Sequence, residues 1–187
     1  MFRAIAALAL ISAAGVAAAT TASAVKSPSA GALLSASPWW EKVTVTIAGN
    51  GKPQSCRYES SLRPNDAQQC DVVSSQASMV KSAMSSDQEL TRITFERRFS
   101  PGAQPEAAKL QTGDTLLGQQ VMAIGIDAKG AVKDCRIVSS SGEMKPDYGC
   151  DDATAEHFEA SATTARTAPP REGLMTILVY GHSEHMV

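Results

Sequence analysis

The sequence is poor in aromatic residues, in net charge and in catalytic motifs. Aromatic residues make up only 5% of 187 residues, so the core must rely on aliphatic side chains. Basic and acidic residues nearly balance, at 17 and 19, which disfavours nucleic acid as a partner because such proteins usually carry a basic excess. There is no Gly-x-Ser-x-Gly, no phosphate-binding glycine loop and no His-Glu-x-x-His. We therefore expect a protein that is not an enzyme and that needs no cofactor and no metal.

The N-terminal segment matches a secretory signal peptide. Arg3 gives a positive start, residues 4–19 are almost wholly apolar, and Ala22-Ser23-Ala24 fits a small-residue cleavage site. The apolar run is shorter than the ~20 residues that cross a bilayer, so we expect cleavage after Ala24 rather than a retained membrane anchor. The sequence predicts a soluble protein that is periplasmic or secreted.

An internal repeat relates the two halves of the chain. Apolar residues alternate in residues 43–47 and again in residues 122–126, which is the period of a half-buried strand. Each strand leads to a glycine at the matching place, Gly51 and Gly130. The same offset matches Cys56 to Cys135. Each half therefore predicts a β-hairpin.

The cysteines predict disulfides, because an even number in an exported chain usually forms them. Spacing alone leaves three pairings open for Cys56, Cys70, Cys135 and Cys150. The repeat favours one bridge per half, Cys56–Cys70 and Cys135–Cys150. Each bridge would close a loop of about 15 residues and contribute ~3 kcal/mol. A zinc site built from all four cysteines is disfavoured, because neither half contains Cys-x-x-Cys.

A helix and a last strand complete each half. Residues 72–84 carry an apolar stripe at helical spacing, and Asp151-Asp152 suits the start of a second helix. The last strands are predicted at 90–95 and 174–180. The predicted fold class is α+β, with two tandem small β-β-α-β modules, each a three-stranded antiparallel sheet packed by a helix. The predicted divisions are a signal peptide (1–24), a flexible lead-in (25–37), a first module (38–99), a linker (100–105), a second module (106–182) and a tail (183–187).

Residues 118–180 resemble the C-terminal domain family of TonB, particularly its cysteine-bearing proteobacterial relatives. The resemblance rests on the strand before Asp127, the Asp-x-x-Gly-x-Val turn that ends at Val132, and the second strand ending in Ser141-Gly142. Cys150 and Pro169 also fall at matching places. Residues 40–99 resemble a degenerate second copy.

The resemblance implies binding by β-augmentation, in which a terminal strand pairs with an extended peptide of an outer-membrane receptor. Carried over to this chain, the peptide-binding strand edge is formed by Leu174, Thr176, Leu178 and Tyr180. Thr176, Leu178 and Tyr180 would share one face of the strand. Two other interpretations stay open: the strand is ordinary core, or it pairs with its counterpart in the other half or in another chain, as in a homodimer.

The histidines offer only a weak alternative to this interpretation. His182 and His185 lie near the C-terminus, where chains usually fray, so a metal site there is disfavoured. His157 is interpreted as a solvated helix residue rather than a catalytic base.

We therefore expect an exported protein that binds peptide or protein segments of the cell envelope by strand-edge pairing, linked to outer-membrane transport. The alternatives are a self-associating structural protein of the envelope, a small hydrolase or inhibitor with an unrecognised site, and a membrane-anchored energy transducer like TonB. The last would need a retained N-terminus and a long proline-rich spacer, and the sequence has only a six-residue linker.

Overall fold

The computed structural model describes residues 34–63, 68–72, 74–84, 90–105, 107, 109–160 and 170–184. The predicted signal peptide lies outside these ranges. Within them, no helix is both long and apolar enough to span a membrane. In chain order the elements are β1 (Trp39–Ile47), β2 (Pro53–Ser60), β3 (Gln68–Gln69), α1 (Ser74–Met84), β4 (Arg92–Pro101), β5 (Asp114–Ile126), β6 (Val132–Gly142), α2 (Cys150–Thr154) and β7 (Arg171–His182).

All seven strands belong to one antiparallel sheet, in the order β3-β2-β1-β4-β7-β5-β6. The prediction of two tandem β-β-α-β modules is therefore wrong. Within each half the hairpin and the last strand do pair, with β1 between β2 and β4 and with β5 between β6 and β7. The two halves are then joined edge to edge, because β4 and β7 also pair.

The junction between β4 and β7 is long and regular. Its register runs from Arg92 opposite His182 to Pro101 opposite Gly173. Each last strand would otherwise leave a row of backbone N–H and C=O groups unpaired. Pairing with the counterpart strand satisfies these groups, which explains why one sheet forms instead of two.

The turns of both hairpins follow the sequence prediction. Gly51 and Gly130 have φ angles of 75° and 90°, in the left-handed region that glycine adopts without strain. The Asp127 carboxylate accepts hydrogen bonds at 2.9 Å from the backbone N–H groups of Lys129 and Ala131. The hydrogen bond from Ala131, followed by that from Lys129 and the charges of Lys133 and Lys129, lowers the pKa of this carboxyl despite some desolvation.

The helices are shorter than predicted. In α1 the side chains of Val80 and Ala83 are buried, whereas Val73 and the side chain of Met84, both on the predicted stripe, lie outside the described part of the chain. The second helix starts as expected, with the Asp152 carboxylate accepting from the Gly149 backbone N–H at 2.8 Å, but it ends at Thr154.

Phe158 explains why the second helix stops early. This side chain is fully buried, yet its backbone is extended: its N–H donates to the Gly130 carbonyl at 2.7 Å. The next residue, Glu159, donates to the Leu34 carbonyl at 2.7 Å. Leu34, from the predicted flexible lead-in, is only 1% exposed. These two hydrogen bonds from Phe158 and Glu159 to the Gly130 and Leu34 carbonyls replace the helical hydrogen bonds that a longer α2 would make.

One face of the sheet, here called the core face, carries two apolar clusters. The first joins both halves: the Phe99 ring of β4 lies 6.1 Å from Trp39 and 4.9 Å from Phe158, between ring centroids. The second lies under α1, around Val80 and Ile93. Because the first cluster draws on residues of both halves, its burial stabilises the whole sheet.

The opposite surface, here called the second face, lies under the connection from β4 to β5. Ser100 and Pro101, placed in the predicted linker, belong to β4. Residues 102–113, here called the crossover, follow β4 and are described except for 106 and 108. The Ala107 carbonyl accepts a hydrogen bond at 3.3 Å from Arg98 on the second face. β7 itself is buried on both faces from Gly173 to Gly181.

Candidate functional site

Both predicted disulfides are present and are confirmed. Cys56 is bonded to Cys70 and Cys135 to Cys150. The two bridges hold different elements. The first fixes the residue that follows β3, whereas the second fixes the first residue of α2. At one outer strand the bridge therefore holds an added strand, and at the other it holds a helix.

The predicted peptide-binding strand is not an edge. β7 is the fifth strand of seven, and it pairs with β4 on one side and β5 on the other. The predicted alternation is confirmed, because Met175, Ile177 and Val179 belong to the core-face clusters. The four predicted site residues lie on the second face, and all are buried: Leu174, Thr176, Leu178 and Tyr180. The prediction of a free edge here is wrong, and its alternative, pairing with the counterpart strand, is what forms.

β6 forms one outer edge of the sheet. Among the described strands it pairs with β5 alone and ends the strand order. Nearly all its residues are exposed, including Ile137 at 55% and Val138 at 51%. These are two of only four large apolar side chains that are exposed among the described residues. An edge strand offers unpaired backbone N–H and C=O groups, so apolar side chains beside them favour pairing with another chain.

Charge divides this edge into two parts. Lys133, Asp134 and Arg136 occupy its first part, whereas Ile137–Gly142 carries no charged side chain. We call this second part the open edge. Charged residues commonly protect strand edges from pairing, and the open edge lacks that protection. It does contain one irregularity, since Val121 lies opposite Ser139 and Met122 opposite Ile137.

A groove runs along the second face beside β6, next to its charged first part and the beginning of the open edge. Its volume is about 580 Å³, within the usual range for ligand sites. Apolar residues from β5, β6, β7 and the crossover contribute to its lining, and they are Val121, Ala123, Val138, Leu174 and Pro105. Arg136 and Asp134 also line it. A strand added to β6 would have side chains on this face, where the groove offers space for them.

The opposite edge of the sheet is partly covered. β3 pairs with β2 through two residue pairs, Arg57 opposite Gln69 and Tyr58 opposite Gln68. The Cys70 N–H also donates to the Cys56 carbonyl at 3.3 Å. The short added strand therefore occupies part of the position that a partner would take on β2.

A charged cluster lies on the core face where the two halves meet. The Arg97 guanidinium bonds to both Glu41 and Glu156 and donates to the Tyr148 hydroxyl at 3.2 Å. Burial would lower the pKa of Arg97, but Tyr148 and the two carboxylates outweigh it and raise the pKa. Burial also raises the pKa of Tyr148; Arg97 opposes this rise and Glu156 supports it.

The cavity beside this cluster is small. Its volume is about 60 Å³, enough for one or two water molecules. Glu41 also accepts a hydrogen bond from the Tyr58 hydroxyl at 2.5 Å. The arrangement therefore serves to hold a buried cation between the two apolar clusters, since a buried charge is tolerated only when it is paired.

The histidines do not form a metal site in the described part of the chain. His182 Nδ1 lies 2.8 Å from Asp114 Oδ1, and His157 is exposed and outside α2. His185 lies beyond the described residues. Within those residues, no group of three or more His, Cys, Asp or Glu side chains is arranged to hold a metal ion.

The sequence held a signal for the open edge that the prediction missed. Ile137 and Val138 are adjacent, so on a strand they face opposite ways and one sheet face cannot bury both. The following Ser139-Ser140-Ser141 offers no apolar residue to either face. By contrast, residues 174–180 are apolar with a single Thr, which is typical of a strand buried on both faces.

Compared with known proteins, the chain matches no family model, no curated protein and no solved structure.

Proposed function

We propose that this protein is exported to the periplasm and binds an extended segment of a cell-envelope protein, which adds as an eighth strand along β6. The observation that carries the proposal is the uncharged, exposed edge at Ile137–Gly142, with two apolar side chains in the open. Binding of this kind uses backbone hydrogen bonds for affinity and side-chain pockets for selectivity.

The groove beside β6 supports a selective form of this binding. Alternate side chains of the added strand would point to the second face, where Val121 and Leu174 give an apolar floor. Arg136 and Asp134 lie at the same groove and would pair with charges of the segment. We therefore expect a partner segment in which apolar and polar residues alternate.

The resemblance to the TonB C-terminal family supports the same mode of binding, although at a different strand. The family's terminal strand corresponds to β7, which is already paired on both sides. The proposal places the partner on β6, and an outer-membrane receptor remains the expected class of partner. No energy transduction is part of the proposal.

The test is to select octapeptides that bind the mature chain and to map them by backbone amide chemical shifts. We expect the shifts to concentrate in β6, and N-methylation of alternate peptide residues to abolish binding, because methyl groups remove donors. The variant carrying Ile137→Lys and Val138→Lys should bind at least about tenfold more weakly, through lost apolar contact and a charged edge.

A matched control carries Gln68→Lys and Gln69→Lys, two exposed positions on β3 at the opposite edge. We expect this control to bind peptides like the parent chain. Chemical shifts in β2 and β3, or tolerance of N-methylation, would contradict the proposal. If the chain instead forms concentration-dependent dimers that Ile137→Lys with Val138→Lys abolishes, a second copy of the chain occupies the edge.

A further inference from the structure

A second concavity, of about 270 Å³, lies on the second face above β1, β2, β4 and β7. Hydroxyl-bearing side chains of neighbouring strands form its floor. Thr44 lies opposite Thr94, and Thr94 lies opposite Tyr180. The Thr44 and Thr94 hydroxyls are 3.2 Å apart. The floor is therefore a polar row that crosses three strands, and it is separate from the β6 groove.

Basic side chains converge on this floor from four segments of the chain. Lys42 comes from β1, Arg57 from β2, Arg92 from β4 and Lys109 from the crossover. The lining has four cations and only two carboxylates, although the chain as a whole has a net charge of −2. Cations gathered in a concave site create a positive potential that attracts anions.

The acidic residues of this pocket are already engaged. Glu59 pairs with Arg57 at 3.3 Å. Asp114 accepts a hydrogen bond from the Gln111 backbone N–H at 2.8 Å, and its other carboxylate oxygen lies 2.8 Å from His182. These contacts hold both carboxylates in place, and their two negative charges leave the four cations of the lining with an excess of two.

Two of the four cations have no side-chain partner among the residues that the structure describes. Within the described residues, Arg92 and Lys109 make neither an ion pair nor a side-chain hydrogen bond. Lys42 is 4.0 Å from Glu96, and that carboxylate already bonds to Arg98 and accepts from the Tyr180 hydroxyl at 3.0 Å. The described lining of the pocket thus carries about two positive charges that its own carboxylates do not balance.

We propose that this pocket binds a phosphate monoester in its dianionic form, between Arg92, Lys109 and Lys42. Two unbalanced cations match a doubly charged group better than a single carboxylate. Guanidinium groups bind phosphate oxygens through two parallel hydrogen bonds, and ammonium groups add point charges. The Thr44 hydroxyl on the floor would complete the set, and the volume leaves room for a small ester group.

The test is calorimetric titration of the full mature chain at low salt with glycerol 3-phosphate, with inorganic phosphate and with acetate. We expect saturable binding of both phosphates and much weaker binding of acetate. Arg92→Gln and Lys109→Gln should each lower the affinity about tenfold. The matched controls are Arg63→Gln and Lys145→Gln, two exposed positions that do not line the pocket.

The proposal is overturned if neither phosphate binds, if acetate binds equally well, or if the control variants weaken binding as much as the pocket variants. A further arm separates the sources of the ligand. Phosphatidylcholine vesicles containing phosphatidic acid present the same group on a membrane. Binding to these vesicles that requires Arg92 would identify a lipid headgroup, and binding of the soluble ester alone would identify a free metabolite.

Discussion

The two outer edges of the sheet are built from corresponding strands, yet one is partly covered and the other is bare. At the first edge, Cys70 follows directly on β3, and its bridge to Cys56 holds that short strand against β2. At the second edge, Cys150 begins α2, and its bridge to Cys135 ties a helix to β6. Within the described part of the chain, no strand pairs with β6 on its outer side.

The comparison shows that a repeated disulfide does not imply a repeated surface. The bridges are alike in sequence separation, at 14 and 15 residues. What differs is the conformation of the residues next to the second cysteine, extended at Gln68–Gln69 and helical at Cys150–Thr154. Function can therefore differ between the two halves even though their strands correspond.

The largest expected loss of stability comes from the packing of the second half of the chain against the first half. Phe158→Ala removes a fully buried ring that packs against Phe99, and we expect a loss of about 3–5 kcal/mol in the free energy of unfolding. Because the cluster spans both halves, denaturant unfolding should stay a single transition. His157→Ala, at an exposed neighbour, should change the free energy by less than ~0.5 kcal/mol. Two separate transitions would show independent halves.

The next effect separates the two bridges. One variant replaces Cys56 and Cys70 by Ala, and a second replaces Cys135 and Cys150 by Ala. Each should lose ~3 kcal/mol in the free energy of unfolding, because the two closed loops have nearly equal length. Only the first replacement should also free β3, so amide exchange at Gln68–Gln69 should rise in that variant alone. Equal changes there in both variants would contradict the assigned roles.

A smaller effect depends on pH and concerns the junction of the halves. Burial raises the pKa of Tyr148 above its ordinary value, so the folded chain keeps this hydroxyl protonated after the unfolded chain has lost its proton. Stability should therefore be full below pH ~10 and fall above it, by at most ~1.4 kcal/mol per pH unit from this group. Tyr148→Phe should make the fall shallower, as denaturant midpoints between pH 9 and 11.5 will show. An unchanged slope would contradict a partly buried Tyr148 whose hydroxyl stays protonated in the folded chain.

The smallest expected effect on stability lies at the open edge itself. Ile137→Lys with Val138→Lys should change the free energy of unfolding by less than ~0.5 kcal/mol, because both side chains are more than half exposed. Gln68→Lys with Gln69→Lys should likewise leave the free energy of unfolding almost unchanged. A large loss at β6 alone, seen in the same denaturant titration, would show that the edge is packed in solution and not open.

Local features of this fold were predictable because short-range patterns determine them. Gly51 and Gly130 marked the two turns, and the repeat gave both disulfides. The position of β7 was not predictable in this way. Alternation along residues 174–180 assigns faces, but it does not say which strand lies beside it, since pairing between distant segments depends on the whole chain.

The candidate sites were even less accessible from the sequence. The pocket above Thr94 combines residues of β1, β2, β4, β5, β7 and the crossover. The pairing of β1 with β2 and β4 arranges one side of it, and the β4–β7 junction adds Tyr180 on the other. A partial signal existed, because Lys42 and Thr44, like Arg92 and Thr94, are polar residues two apart and hence share a strand face. The end of the second helix was hidden as well, since Phe158 leaves the helical pattern to meet Leu34.

Amide hydrogen exchange of the mature chain, read residue by residue, tests the central claim most directly. One sheet with its open edge at β6 predicts slow exchange at all amides of Leu174–Tyr180, because β7 is hydrogen-bonded on both sides. It predicts fast exchange at alternate amides of Ile137–Gly142. Fast exchange at alternate amides of β7, together with full protection of β6, would contradict the account and return the open edge to the last strand.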